Sequence, residues 1–367
     1  MHANVLFSPF RHVDSVARKG RPIHLTYFVT RKCNARCPYC FYLASTRAEP
    51  QAAVELSLEE IAQVSQSLGS LLWLAFSGGE IFLRKDLAAI SRHFYRNNRP
   101  AIMLFPSNGT LPDTIFATLE EVLIDCPRSL IVVKLSLDAL GEKHDTLRCT
   151  PGNFDRLLRT IDALAPLAAR HANLEIGVNT VFCSENQDDM TEIFDFVAGL
   201  APVTTHTLSL VRGDLAQPEY LHVDPDKYRR AAEDLARRIH ERKTPIGTYR
   251  GAKLKAAQDV LQRRAIYRAL TTGARAHPCY AGSLSLVLNE TGEVFPCETL
   301  DASIGNVRDH DYDLSRMLRS DHAKDVLRPI QEKACCCTHE CNMLMNVLFD
   351  VRRYPALLAQ YARMLAT

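Results

Sequence analysis

The stretch "IHLTYFVTRKCNARCPYCFY", residues 23–42, joins an apolar run to three cysteines within eight positions: Cys33, Cys37 and Cys40. The run is rich in β-branched and aromatic residues and reads as a strand. Two thiols would suggest a disulfide or redox pair, and four a closed metal site. Three suit a four-iron cluster with one iron left free of protein. An open iron can bind and activate something else, whereas structural sites are usually closed. Tetrahedral zinc needs a fourth ligand, and C-x3-C-x2-C is not a usual zinc spacing.

Outward from this stretch, apolar β-rich runs recur at residues 23–30, 71–77, 101–107, 130–138, 173–182 and 206–211. Amphipathic stretches of helical period lie between them, near 57–69, 86–98, 113–124, 153–170 and 187–199. The first opens with Ser57 and Glu60, a capping box. Six strands alternating with helices predict an α/β fold with a parallel sheet and right-handed crossovers. Near-continuous apolar strands fit burial on both faces. The thiols follow the first strand, so in a β/α barrel they stand on the catalytic face. Residues 225–272 read as charged, alanine-rich helix. After Pro278 come a hairpin, "SLSLVLNETGEVFPC", and a cysteine-dense tail.

Charge is nearly balanced, with 44 Lys+Arg against 42 Asp+Glu, so no basic field argues for nucleic acid. No apolar run is long enough to span a bilayer. The start lacks the apolar core of a secretory signal, which predicts a cytoplasmic protein with reduced thiols. Twelve cysteines there suggest metal or catalysis rather than disulfides.

The triple-cysteine loop, with Tyr39 before its last cysteine, resembles the signature of the radical S-adenosylmethionine (SAM) superfamily. The resemblance covers about residues 22–215 and again 277–345, and implies a partial (β/α)6 TIM-like barrel. It implies a [4Fe–4S] cluster at Cys33, Cys37 and Cys40 whose open iron chelates SAM. "FSGGE" (Ser77, Gly78, Gly79, Glu80) matches the motif that binds the SAM amino group. "PSNGT" resembles the strand-end turn near adenine and methionine, with Ser107 and Asn108. In "KLSLDAL" alternation sets Ser136 and Asp138 on one face. The resemblance assigns Ser136 to SAM, while Asp138 is expected to face substrate. Arg148 matches an arginine that pairs with the SAM carboxylate. Cys149 stands where relatives often carry glycine, so the local backbone is expected to differ. Asn179 and Thr180 fall where relatives contact ribose or adenine. Arg212 meets an anionic substrate group or forms a structural salt bridge.

The tail, with Cys279, Gly292, Cys297 and "CCCTHEC", resembles the SPASM/Twitch extension that carries auxiliary iron–sulfur clusters. Six tail cysteines, three of them adjacent, point to one four-ligand cluster. Its expected ligands are Cys279, Cys297, Cys337 and Cys341, with Cys335 able to replace either of the last two. A Cys3His zinc site using His339 is the competing reading. Glu298, directly after Cys297, is a candidate base by resemblance to sulfatase-maturating enzymes.

The expected organisation is an extension over 1–21, a barrel core over 22–240, a helical linker over 241–275 and an auxiliary-cluster domain over 276–367. The resemblance implies reductive cleavage of SAM and hydrogen abstraction from substrate. An oxidation or rearrangement follows, aided by the auxiliary cluster. A flavodoxin or ferredoxin would supply electrons. About twenty residues precede the first strand, too few for a peptide-recognition domain. That favours a small molecule, such as a sugar or aminocyclitol, over a ribosomal peptide. A non-enzymatic iron–sulfur or zinc protein, acting as carrier or sensor, is the third reading.

Overall fold

The computed structural model describes residues 6–42, 54–247, 249–275, 277–332 and 335–366. Among the described residues, nine strands form one sheet: β1 (His24–Thr30), β2 (Trp73–Gly78), β3 (Ile102–Ser107), β4 (Leu130–Ser136), β5 (Leu174–Phe182), β6 (Thr205–Leu210), β7 (Ser285–Leu288), β8 (Glu293–Phe295) and β9 (Gly305–Asn306). Their order is β6-β5-β4-β3-β2-β1-β7-β8-β9. The first six pair in parallel with sequence neighbours, β7 adds in parallel to β1, and β8 and β9 follow antiparallel. β6 does not pair back onto the sheet, so the barrel is open, as a partial (β/α)6 arrangement requires. All seven residues of β1 are buried, because it lies mid-sheet with a covered surface on each side.

Helices α1 (Leu58–Ser67), α2 (Leu87–Asn98), α3 (Pro112–Asp125), α4 (Gly141–Leu147), α5 (Asn153–Arg170) and α6 (Met190–Ala198) fill the crossovers. α7 (Pro225–His240) and α8 (Ala252–Thr272) occupy the stretch read as one helix. Pro245, Gly247 and Gly251 interrupt it, and both glycines have positive φ. α9 (Leu314–Met317), α10 (Asp321–Gln331), α11 (Glu340–Leu348) and α12 (Tyr354–Leu365) complete the tail.

α8 is more than a linker. Ala252, Lys255, Ala256, Asp259, Gln262 and Arg263 recur at helical spacing and face a cavity of about 300 Å³ inside the open barrel. From the strands, Ala75 and Ser77 (β2), Val132, Lys134 and Ser136 (β4), and Thr205, Thr207 and Ser209 (β6) point into the same space. These are alternate residues, as a pleated strand demands.

The tail docks onto the barrel through α1. Ser57 and Glu60 form the expected capping box. Arg308 grips the same carboxylate, Nε to Oε1 at 2.6 Å and Nη2 to Oε2 at 3.0 Å. Tyr312 donates to it at 3.0 Å. The hydrogen bond from Arg308 holds the Glu60 carboxyl down from 4.5 to about 2. A depressed carboxyl pKa stabilises the fold above the unfolded value and loses that effect as pH falls. Glu60→Ala is therefore expected to cost about 1 kcal/mol at pH 7. The gap to wild type should begin closing below pH 4.5 and vanish near 2 in urea unfolding.

Candidate active site

β1 ends at Thr30, and the thiol loop folds directly onto the end of β2. Gly79 donates its N–H to Thr30 O at 2.9 Å, and Glu80 to Lys32 O at 2.8 Å. A Cβ on Gly79 would lie 2.1 Å from Lys32 O and 3.0 Å from the Cys33 Cβ. Only glycine permits this approach. Cys37 is buried, and Cys33 and Cys40 are half-buried. Burial pushes the Cys37 thiol up to about 12 and raises that of Cys33. Metal binding therefore displaces protons here.

Glu80 is 2% exposed. Its carboxylate accepts from Ser107 Oγ at 3.0 Å, the Asn108 N–H at 2.8 Å and the Phe82 N–H at 3.3 Å. Burial raises its pKa despite these bonds. Among the described residues no cation lies within ion-pair distance of it. A buried carboxylate with only neutral donors has room for an ammonium partner. Asn34, which sequence reasoning missed, links the loop to β3: its Oδ1 accepts from Asn108 Nδ2 and its Nδ2 donates to Thr110 Oγ1, both at 2.7 Å.

Ser136 lines the cavity, but Asp138 does not share its fate. Asp138 is fully buried. It accepts from Tyr39 Oη at 2.6 Å, Arg148 Nη1 at 2.5 Å and the Val181 N–H at 2.8 Å. The expectation that Asp138 faces substrate is corrected: alternation ends with β4 at Ser136, and the next turn draws Asp138 inward. Arg148 is tied to that carboxylate, while its Nε is buried without a hydrogen-bond partner. Burial opposes the Arg148 charge, but Cys37, Tyr39 and Asp138 outweigh it and hold its pKa well above normal. Asn179 faces the cavity and accepts from Ser209 Oγ at 2.8 Å. Thr180 points the other way and donates to Leu137 O at 2.7 Å. Cys149 has φ +47°, the left-handed region that glycine favours and a side chain strains.

On the tail side, Cys279, Cys297, Cys335, Cys336 and Cys337 line one small cavity of about 20 Å³. Arg275 Nη2 lies 2.8 Å from Cys335 Sγ. Cys341 is not in that lining. It sits at the start of α11 and borders the barrel cavity, its sulfur within 4.8 Å of ligand atoms of Glu298 and His339. The expected terminal pair Cys337/Cys341 is therefore divided between two cavities. Cys335, the expected alternative, lines the thiol cavity with Cys279, Cys297, Cys336 and Cys337. His339 also turns from the thiol cavity, its Nε2 lying 2.9 Å from Glu298 Oε2.

Glu298 stands between His339 and Arg212, whose Nη2 lies 3.1 Å away. Arg212 also reaches Glu340 at 3.0 Å. Burial raises the Glu298 pKa, but His339 and Arg212 override it and hold the carboxyl at about 2. Such a group is a weak base as it stands.

An open parallel barrel, three thiols at its first strand end and a thiol-lined tail define a class of iron–sulfur enzyme. The model of the radical SAM superfamily matches residues 27–197, and that of the SPASM iron–sulfur cluster-binding domain matches residues 279–342. The chain belongs to the radical SAM superfamily and carries a SPASM domain. It is an enzyme that uses SAM and iron–sulfur clusters, and Cys33, Cys37 and Cys40 lie within the matched radical SAM region. The zinc and non-enzymatic readings are thereby set aside.

An AdoMet-dependent heme synthase of Methanosarcina barkeri is 27% identical over 314 residues, covering 81% of this chain and 82% of that protein. The antilisterial bacteriocin subtilosin biosynthesis protein AlbA of Bacillus subtilis is 27% identical over 306 residues, covering 80% and 59%. Among solved structures, anSMEcpe with bound AdoMet superposes with a TM-score of 0.59 at 16% identity, covering 94% of each chain. Streptococcus suis SuiB bound to S-adenosylmethionine also gives 0.59, at 14% identity, covering 85% and 69%. These likenesses establish the fold. No helix among the described residues is long and apolar enough to cross a membrane.

Two outcomes test this geometry. Cys335→Ser is expected to lose one cluster's complement of iron and Cys341→Ser to retain it, by iron and sulfide analysis of anaerobic protein. Cys149→Gly should relieve the left-handed backbone and raise stability by about 1 kcal/mol in chemical unfolding.

Proposed function

We propose that the enzyme removes a hydrogen atom from a metabolite-sized substrate in the barrel cavity, then completes an oxidation or rearrangement with help from the auxiliary cluster. Bound SAM, on one-electron reduction, supplies the 5′-deoxyadenosyl radical that takes the hydrogen. One observation carries this reading: a single cavity is lined by Ser77, Ser136 and Asn179 at the strand ends and by Glu298 and Cys341 on the tail side. A substrate there touches the SAM-binding edge and the auxiliary domain together. A cavity of about 300 Å³ is at the small end for ligand sites, and fits a metabolite or one substituent of a larger molecule.

In this reading Glu80 accepts the SAM ammonium, and Ser107 and Asn108 fix its carboxylate. Gly78 and Gly79 keep the thiol loop against it. Ser136 and Asn179 meet the ribose. Arg148, anchored on Asp138, offers Nε to the SAM carboxylate. Arg212 and Glu298 border the substrate, and their ion pair favours binding over base catalysis in the resting arrangement. A ferredoxin or flavodoxin delivers the electron.

Peptide maturation is the second reading, supported by the likeness to AlbA over 80% of this chain. A peptide would then insert one side chain into the cavity.

Anaerobic protein reconstituted with iron and sulfide is expected to convert SAM to 5′-deoxyadenosine on reduction. Replacing Cys33, Cys37 and Cys40 together by alanine should abolish the product, and unchanged turnover in that variant would refute the reading. Acceleration by a peptide-free metabolite fraction supports the small-molecule form. Acceleration by the peptide fraction alone would replace it with maturation.

A further inference from the structure

The barrel cavity holds a charged group that neither the cofactor nor the fold accounts for. Arg263, midway along α8, is 4% exposed and lines the cavity. Its Nε and Nη2 are buried without a hydrogen-bond partner. Among the described residues, no carboxylate lies within ion-pair distance of it. The other cations of the cavity are occupied. Arg212 pairs with Glu298 and Glu340, and Lys255 with Asp259. Lys134 donates to Thr205 Oγ1 at 2.6 Å and Thr207 Oγ1 at 2.9 Å.

An unpaired buried guanidinium is costly, so a partner is expected when the protein works. The neighbourhood has a second unmet donor. The Tyr228 hydroxyl, fully buried, has no hydrogen-bond partner; burial and then Glu340 raise its pKa, and the nearby Arg263 charge opposes them. Nε and Nη2 form one edge of the guanidinium plane. That edge presents two parallel N–H groups, the arrangement that grips a planar carboxylate through both oxygens.

We propose that the Nε/Nη2 edge of Arg263 is a recognition site for a carboxylate of the substrate, which enters the barrel cavity with that group turned towards α8. This deepens the proposed function and rests on it for the word substrate; the anion site itself stands on the geometry alone. Lys134 lies across the cavity, but burial pushes its pKa down to about 7, so it contributes only part of a positive charge at neutral pH. Gly177 gives it space, since a Cβ there would lie 2.6 Å from its Nζ.

The probe is propionate, with its uncharged amide as control, added to anaerobic holoenzyme with both clusters and SAM. Thermal unfolding reads binding by mass action. Propionate is expected to raise the midpoint of wild type, and propionamide to leave it unchanged. Arg263→Met should weaken propionate at least about tenfold. Arg263→Lys keeps the charge but loses the fork, and should bind with intermediate strength; it serves alone if the methionine variant does not fold. Equal shifts by propionate and propionamide would overturn the site. So would a propionate shift undiminished in both variants. Stabilisation by inorganic phosphate or chloride, but not by propionate, would overturn the carboxylate assignment. Wild type that binds propionate yet forms no 5′-deoxyadenosine would sink the proposed function and leave this site standing.

Discussion

The contact between two glycines and the backbone of the thiol loop is the constraint from which the site is built. Gly78 approaches Thr30 O and Gly79 approaches Lys32 O so closely that a methyl group on either would collide with backbone, not with a flexible side chain. Two backbone hydrogen bonds lock the same junction. The thiols are thereby fixed relative to β2. Glu80, the next residue, is delivered into a buried position where Ser107 and Asn108 converge on it. The ends of the first three strands thus behave as one unit. The fourth strand end completes it through Asp138, which joins Tyr39 of the loop to Arg148.

Beyond that unit, the open edge of the barrel matters as much as the strands. A closed barrel of this size would fill its centre with side chains. Here β6 is left as an edge, and α8 with the tail covers the gap. The result is a cavity lined, among the described residues, by the basic side chains Lys134, Arg212, Lys255 and Arg263 and the carboxylates Glu175, Asp259, Glu298 and Glu340. Buried charge on this scale costs stability, and functional sites are where such costs are tolerated. α11 divides the tail chemistry. Cys337, just before it, faces the other thiols, while Cys341 within it faces the cavity.

Much of this was legible in the sequence. The six parallel strands followed from apolar runs at regular intervals, and α5 from its periodicity alone. The triple-cysteine loop and the Gly-Gly-Glu turn announced the chemistry because local spacing carries it. What escaped was non-local. Asp138 read as substrate-facing because alternation was continued past the end of β4. Cys341 read as a ligand of the thiol site because C-x3-C is a spacing, whereas the helix start between Cys337 and Cys341 turns their side chains to different cavities. The left-handed backbone at Cys149 is likewise set by its surroundings and leaves no mark in the local sequence. Arg263 carried no signal at all: within a charged helix, nothing marks one arginine as lacking a partner.

The barrel mouth works only if Cys33, Cys37 and Cys40 hold a cluster with one iron open to SAM beside Glu80. Electron paramagnetic resonance tests it most directly, on reduced anaerobic protein whose tail cysteines Cys279 and Cys297 are replaced by serine. A single reduced [4Fe–4S] signal that changes shape when SAM is added is expected. A signal indifferent to SAM, or no cluster signal in that variant, would contradict it.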